Sequence, residues 1–279
     1  MSTAAQASEH FVKANGINIH YLDWGGDSPR NLLLAHGQNG TAHNWDFVAR
    51  ELRHEFRVIA LDQRGHGESD HTTEGYAVTS FAADIAEFAQ AVGIVPFDLV
   101  GASLGARNGI SYAGSHSEQL KHFVCLDYGP EMSTASAKKQ VDGLGRRPLG
   151  WRSRDEFVQY SSQLNPRASL EYLRNQAQHG LRLNYAGKYV PKHDPDMFWI
   201  NGGFGVREVP HLWEQWAKIR CPILELKGAH SDFLSPEIVA RMREAQPGME
   251  FLEVPDSGHP IPADNPGFLL RELRRFLVD

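Results

Sequence analysis

Residues 97–108 read Phe97-Asp98-Leu99-Val100-Gly101-Ala102-Ser103-Leu104-Gly105-Ala106-Arg107-Asn108. An apolar run of the buried-strand kind leads directly into G-x-S-x-G, and a helical pattern follows. A turn that sharp forces Ser103 into a strained backbone conformation. Side chains at 101 and 105 would collide with the neighbouring strand and helix, which accounts for both glycines. The serine hydroxyl is then expected at the carboxyl end of a sheet, at a helix start whose backbone N–H groups favour negative charge.

Outward from this stretch, short β-rich runs alternate with longer helical patterns. Residues 31–35, 57–61, 97–101, 122–126, 223–227 and 250–254 are near-continuous apolar runs, as buried parallel strands require, and 16–23 alternates like a half-exposed edge hairpin. Residues 78–92 place Phe81, Ile85, Phe88, Ala89 and Val92 on one helical face. The expected class is α/β, a mostly parallel sheet with helices on both faces. From about 130 to 217 the rhythm breaks into a segment rich in Arg, Gln, Tyr and Trp, with helical patterns near 154–163 and 169–179. We read it as an inserted helical lid on a core of 1–129 and 218–279, which closes with an amphipathic helix at 266–277.

The 279 residues suffice for one large α/β domain that needs no metal or disulfide staple. With 28 Lys+Arg against 34 Asp+Glu the net charge is -6, which argues against a nucleic-acid partner. Residues 1–10 are small and polar and no run of 18 apolar residues occurs, so no membrane association and a cytoplasmic location are expected. Cys125 and Cys221, the only cysteines, read as reduced thiols. No His-Glu-x-x-His or comparable cluster is present, so neither a metal nor another cofactor is expected. The expected partner is a small-molecule substrate, with a homodimer left open.

A serine hydroxyl needs a base within hydrogen-bond reach. Among 14 histidines, His259 stands out, because Ser257-Gly258-His259-Pro260 falls between the last strand-like run and the final helix, in the chain order serine, acid, histidine. His36-Gly37-Gln38 follows the run 31–35, where Gly37 permits close backbone approach. The N–H groups of Gln38 and Leu104 are the candidates for holding a negative oxygen. The glycine-punctuated turn from Asp62 to Ser69 reads as structural.

Together these segments resemble the α/β-hydrolase family over the whole chain except the lid. Leu99 to Asn108 is similar to the cofactor-free hydrolases that act on ring-opened products of aromatic and N-heterocycle degradation, (E)-2-(acetamidomethylene)succinate hydrolase among them. The family's usual acid, three residues after a strand-ending glycine, would fall on Ser231 when counted from Gly228, with Asp232 one place later. Asp127, in Leu126-Asp127-Tyr128-Gly129, occupies the alternative acid position that the resemblance offers, and it is favoured over Asp232.

The resemblance implies a serine hydrolase acting on an ester, lactone or amide. A cofactor-free C–C hydrolase or dioxygenase on the same fold is the alternative, and a ligand receptor with a vestigial triad is the third reading. For the substrate pocket, His36, Gly37, Trp45, Arg107, Trp151 and Trp199 are the candidates. Tyr160, Phe204, Trp213 and Trp216 are offered as further aromatic walls, and Arg146, Arg147, Arg152 and Arg154 as carboxylate partners.

Overall fold

The computed structural model of the chain describes residues 6–73, 75–144, 148–197 and 205–278. Its strands are β1 (Ser8–Ala14), β2 (Ile17–Asp23), β3 (Asn31–Ala35), β4 (Arg57–Leu61), β5 (Phe97–Ala102), β6 (Leu120–Leu126), β7 (Leu181–Leu183), β8 (Tyr189–Pro191), β9 (Ile223–Gly228) and β10 (Glu250–Val254). Eight of them form one sheet in the order β1-β2-β4-β3-β5-β6-β9-β10, while β7 and β8 pair separately. From β4 through β10 along that order all neighbours are parallel. The β1–β2 and β2–β4 pairs are antiparallel. Asn15 and Gly16, both at positive φ, turn β1 into β2 as an Asn-Gly hairpin should.

The central strands are apolar throughout because each feeds two cores. Side chains alternate across a strand, so Leu33, Ile59, Leu99 and Cys125 join one cluster while Leu32, Val58, Val100 and Val124 join the other. The first core is covered by α2 (Val78–Val92), α3 (Leu104–Ser115), α7 (Gly205–Lys218) and α8 (Pro236–Ala245), through residues such as Phe88, Ile110, Trp216 and Met242. The second is covered by α1 (Asp46–Leu52) and α10 (Pro266–Val278), through Leu52, Leu269 and Leu273.

Between β6 and β9 the chain also forms α4 (Thr134–Leu144), α5 (Arg154–Leu164) and α6 (Leu170–His179). Ser153 and Ser169 cap α5 and α6 by accepting from the Glu156 and Tyr172 amides. Around these two helices a small separate core gathers Trp151, Val158, Leu173, Ala177 and Leu181. The helix α7 does not share it. Leu212 and Trp216 belong to the main core, so the last part of the expected insertion 130–217 packs as the crossover helix into β9. The short helix α9 (Ile261–Asp264) precedes α10. Among the described residues no helix is long and apolar enough to cross a membrane.

Candidate active site

The carboxyl ends of β3, β5, β6 and β9 meet on one edge of the sheet, where open α/β sheets place their ligand crevices. Ser103 follows β5 with φ 50 and ψ -108, a conformation that costs an L-residue roughly 1–3 kcal/mol. The glycines on either side permit it. A Cβ at Gly101 would come within 2.5 Å of the Ala106 amide nitrogen, and one at Gly105 would overlap the Ala35 carbonyl oxygen of β3. Helix α3 thus starts pressed against the sheet with Ser103 at its head.

His259 reaches this serine from the loop after β10. Its Nε2 lies 2.9 Å from Ser103 Oγ and its Nδ1 lies 2.7 Å from Asp127 Oδ2. Gly228 is what lets the loop settle there, since a Cβ at that position would overlap the Gly258 carbonyl. The Asp127 side chain is 0% exposed and His259 is 27% exposed, so the carboxylate is sealed in while the imidazole keeps an open edge. Asp127 itself has φ 54. Its carboxylate also accepts from the Gly228 amide at 3.2 Å and from the Ser231 hydroxyl. Ser231, which stands in the usual acid register, therefore donates to the Asp127 carboxylate.

Asp232 is turned away. Its side chain is 44% exposed, pairs with Lys139 and accepts from Ser136 Oγ at 2.7 Å. The Lys139 ammonium, followed by the Ser136 hydroxyl, holds this carboxyl below its usual range. No hydrogen bond or ion pair joins Asp232 to His259, whose ring nitrogens face Asp127 and Ser103.

Across Ser103 lies the loop after β3. A Cβ at Gly37 would sit 3.4 Å from Ser103 Cβ, so this loop runs against the serine. Leu104 is the first residue of α3, where an amide has no partner in the helix ladder. Among the described residues neither its N–H nor that of Gln38 donates to a protein acceptor. His36 does not face this space. Its Nδ1 donates to the Gly37 carbonyl at 2.7 Å and its Nε2 accepts from the Gln63 amide at 3.1 Å. The Gln63 side chain returns to the His36 carbonyl at 2.6 Å and accepts from Asn108 at 2.8 Å. Burial pushes the His36 pKa down, consistent with a neutral ring whose nitrogens are both used in holding the loop. The Asp62–Ser69 turn is held through the Asp62 carboxylate. Asp62 accepts from the Ala42 and Glu68 amides at 2.6 and 3.0 Å and from His20 at 2.8 Å.

Other pocket expectations are corrected. Trp45 is buried in the second core among Val48 and Leu52. Arg107 is fully buried, pairs with Glu208 of α7 and donates to Asn108 Oδ1 at 2.9 Å, so it ties two helices together. Trp151 packs edge-on to Phe157, and Tyr160 lies against it in the small separate core. Trp216 donates to the Met242 carbonyl inside the main core, while Trp213 lies under Arg241. Arg154 donates to the Ala177 carbonyl and lies over Tyr189. Trp199, Phe204, Arg146 and Arg147 lie outside the described residues.

Phe233 was not foreseen. Its ring stacks on His259 with centroids 3.5 Å apart and planes 10° from parallel. Its amide donates to Ser231 Oγ at 3.2 Å, so one loop steadies both the imidazole and the carboxylate. Tyr172 of α6 was also missed, and its hydroxyl accepts from Asn44 at 2.7 Å. Only Ser231, at the usual acid register, carried a signal that spacing could have caught.

Comparison with known proteins agrees with this architecture. Residues 30–266 match the alpha/beta hydrolase fold family. The chain belongs to that family. It is 30% identical over 260 residues to N-formylmaleamate deformylase of Pseudomonas putida, covering 91% of this chain and 90% of that protein. Identity to 2-(acetamidomethylene)succinate hydrolase of Mesorhizobium japonicum is 25% over 279 residues, 97% of each chain. A crystal structure of E-2-(acetamidomethylene)succinate hydrolase superposes with a TM-score of 0.89 at 22% identity, covering 98% of this chain and 100% of that one, which shows a shared fold. The hydrolase family expected from the elbow and loop residues is the one found.

Proposed function

We propose that the chain is a cofactor-independent serine hydrolase that cleaves an acyl bond of a small organic molecule. The observation that carries the reading is the hydrogen-bonded chain Ser103–His259–Asp127 behind a strained serine turn. Ser103 Oγ attacks the substrate carbonyl as its proton passes to His259 Nε2, and the carbonyl electrons move onto oxygen. That oxyanion is held by the Gln38 and Leu104 amides. On collapse the leaving group departs with the proton from His259. Water, activated by the same imidazole, then releases the acid from the acyl-enzyme. Asp127 fixes the tautomer and stabilises the imidazolium.

Among ester, lactone and amide, the amide is favoured. The named substrates of both relatives, N-formylmaleamate and 2-(acetamidomethylene)succinate, carry an N-acyl group beside carboxylates. We read α4 to α6 as a lid over the site, since Tyr172 joins α6 to Asn44 next to the oxyanion loop. The test is labelling with a fluorophosphonate, with turnover measured on N-acyl compounds, aryl esters and lactones. Wild-type protein is expected to label at Ser103 and to turn over an N-acyl acid, while Ser103→Ala abolishes labelling and lowers kcat by about 10⁴ to 10⁶. Retention of more than roughly a tenth of the activity by Ser103→Ala would exclude nucleophilic attack by this serine.

A further inference from the structure

On the flank of the site, the turn before α1 and the end of α6 bring His43, Asp46 and His179 together, with one ligand atom from each lying within 4.8 Å of the other two. We propose that these three side chains form a binding site for a divalent transition-metal ion of the zinc class, tying α6 to the segment that follows the oxyanion loop. His43 Nδ1 already lies 3.0 Å from Asp46 Oδ2, and the two imidazole rings stack with centroids 3.5 Å apart and planes 22° from parallel. Each imidazole in its neutral form offers one ring nitrogen lone pair to a metal ion.

The carboxylate is oriented by a partner that does not itself bind the ion. Asn175 of α6 donates to Asp46 Oδ2 at 3.0 Å and to the His43 carbonyl at 2.8 Å. Held carboxylates of this sort are a recurrent feature of metal sites. Two nitrogens and one oxygen suit zinc, cobalt, nickel or copper rather than magnesium or calcium, which prefer all-oxygen sets. With three protein ligands, water would complete a tetrahedron. Coordination asks both rings to turn out of their stack until their lone pairs converge, which exchanges a ring–ring contact for two bonds to the ion. Both histidines are only partly buried.

His43 adjoins Asn44, whose side chain accepts from the Thr41 amide at 2.6 Å and donates to Tyr172 on α6. An ion at the cluster would lock that junction. The site is distinct from Ser103 and His259 and does not depend on the proposed hydrolysis.

The experiment is calorimetric titration of the 279-residue chain with ZnCl₂, with CoCl₂ as a spectroscopic probe and MgCl₂ as control. Wild type, His259→Gln, His179→Ala, His43→Ala, Asp46→Asn and Asn175→Ala are compared after circular dichroism has established folding. One zinc per chain is expected in wild type and in His259→Gln, with a tetrahedral cobalt spectrum and no response to magnesium. His179→Ala is expected to weaken zinc by more than about tenfold, and Asn175→Ala by about 10- to 100-fold, as loss of an orienting partner does. Should His179→Ala not fold, His43→Ala and Asp46→Asn carry the same expectation from the core side. Absence of saturable zinc binding in wild type would overturn the proposal. So would equal affinity in folded variants of the three ligands, or loss of binding only in His259→Gln.

Discussion

Replacing Asp127 by asparagine tests the site at its most specific point, because the structure dictates how the amide must sit. One carboxylate oxygen receives the N–H of Gly228, a backbone donor that cannot turn. The other receives His259 Nδ1–H and the Ser231 hydroxyl. In Asp127→Asn the amide oxygen is expected to stay on Gly228, since an NH₂ facing that N–H would leave two buried donors opposed. The NH₂ then faces His259 Nδ1. The imidazole must present its lone pair there, so its proton moves to Nε2, opposite Ser103 Oγ. A protonated Nε2 cannot accept the serine proton, and the loss expected of an inverted tautomer is on the order of 10⁴ in kcat, about 5.5 kcal/mol.

Asp232→Asn, by contrast, alters an exposed carboxylate held by Lys139 and Ser136, and should cost less than about tenfold. The assay is kcat for both purified variants on whichever acyl substrate wild type turns over, with near-UV circular dichroism as the folding control. A loss smaller than about tenfold in folded Asp127→Asn, or the reverse ranking of the two variants, would refute the tautomer argument.

Gly105→Ala forces a methyl group onto the Ala35 backbone carbonyl, which cannot give way, and should lower stability by about 3 kcal/mol or more in urea unfolding; a change below about 1 kcal/mol would contradict the close approach. Glu225 is fully buried on β9, and burial raises its pKa well above the ordinary value. The folded state therefore keeps a proton that the unfolded chain releases above about pH 4.5, and stability declines as pH rises through that window. Glu225→Gln should match wild type near pH 4 and exceed it at pH 7 in denaturant midpoint; equal midpoints at pH 7 would refute a neutral carboxyl. His36 and His66 have pKa values lowered chiefly by burial, so the unfolded chain takes up protons near pH 6.5 while the folded chain resists. The stability they contribute is complete above about pH 6.5 and is lost as pH falls toward their folded values, at about 1.4 kcal/mol per pH unit for each ring; His66→Gln should flatten this slope between pH 5 and 6.5.

How far the fold could be read from the chain follows from what each element buries. Strands β3 and β4 were found to the residue because a parallel strand between two helical layers must be apolar on both sides, whereas β10 matched its expected bounds although it is an edge strand with only Val254 buried. Strand β1 was passed over because Ser8 to Val12 is mostly exposed and shows no such run. The pair β7–β8, three residues each, is too short to show a period. Ser103, His259 and Asp127 were legible because each follows a strand end, where topology alone carries a residue to the active edge. Trp45, Arg107 and Trp151 were misplaced because residue type says nothing about direction. Arg107 is held instead by Glu208 of α7, a partner far along the chain that its own segment does not announce. The His43, Asp46 and His179 cluster forms no local sequence motif for the same reason, since its third member arrives on another helix.

The position of the acid shows how little must change for such a site to be rebuilt. A carboxylate at 231 and one at 127 would compete for the same imidazole nitrogen, and two buried carboxylates so close could not both ionise. The serine at 231 removes the conflict and contributes a donor. Asp127, in turn, must adopt φ 54 to point its side chain back across the end of β9, at a cost of roughly 1–3 kcal/mol. Offsetting that cost are the charge-assisted bonds from Gly228, Ser231 and His259, each worth about 1.5–3 kcal/mol. The strained backbone and the support from Ser231 belong together: without those donors the left-handed turn at Asp127 would have little to hold it, and without the turn Ser231 would have no carboxylate to serve.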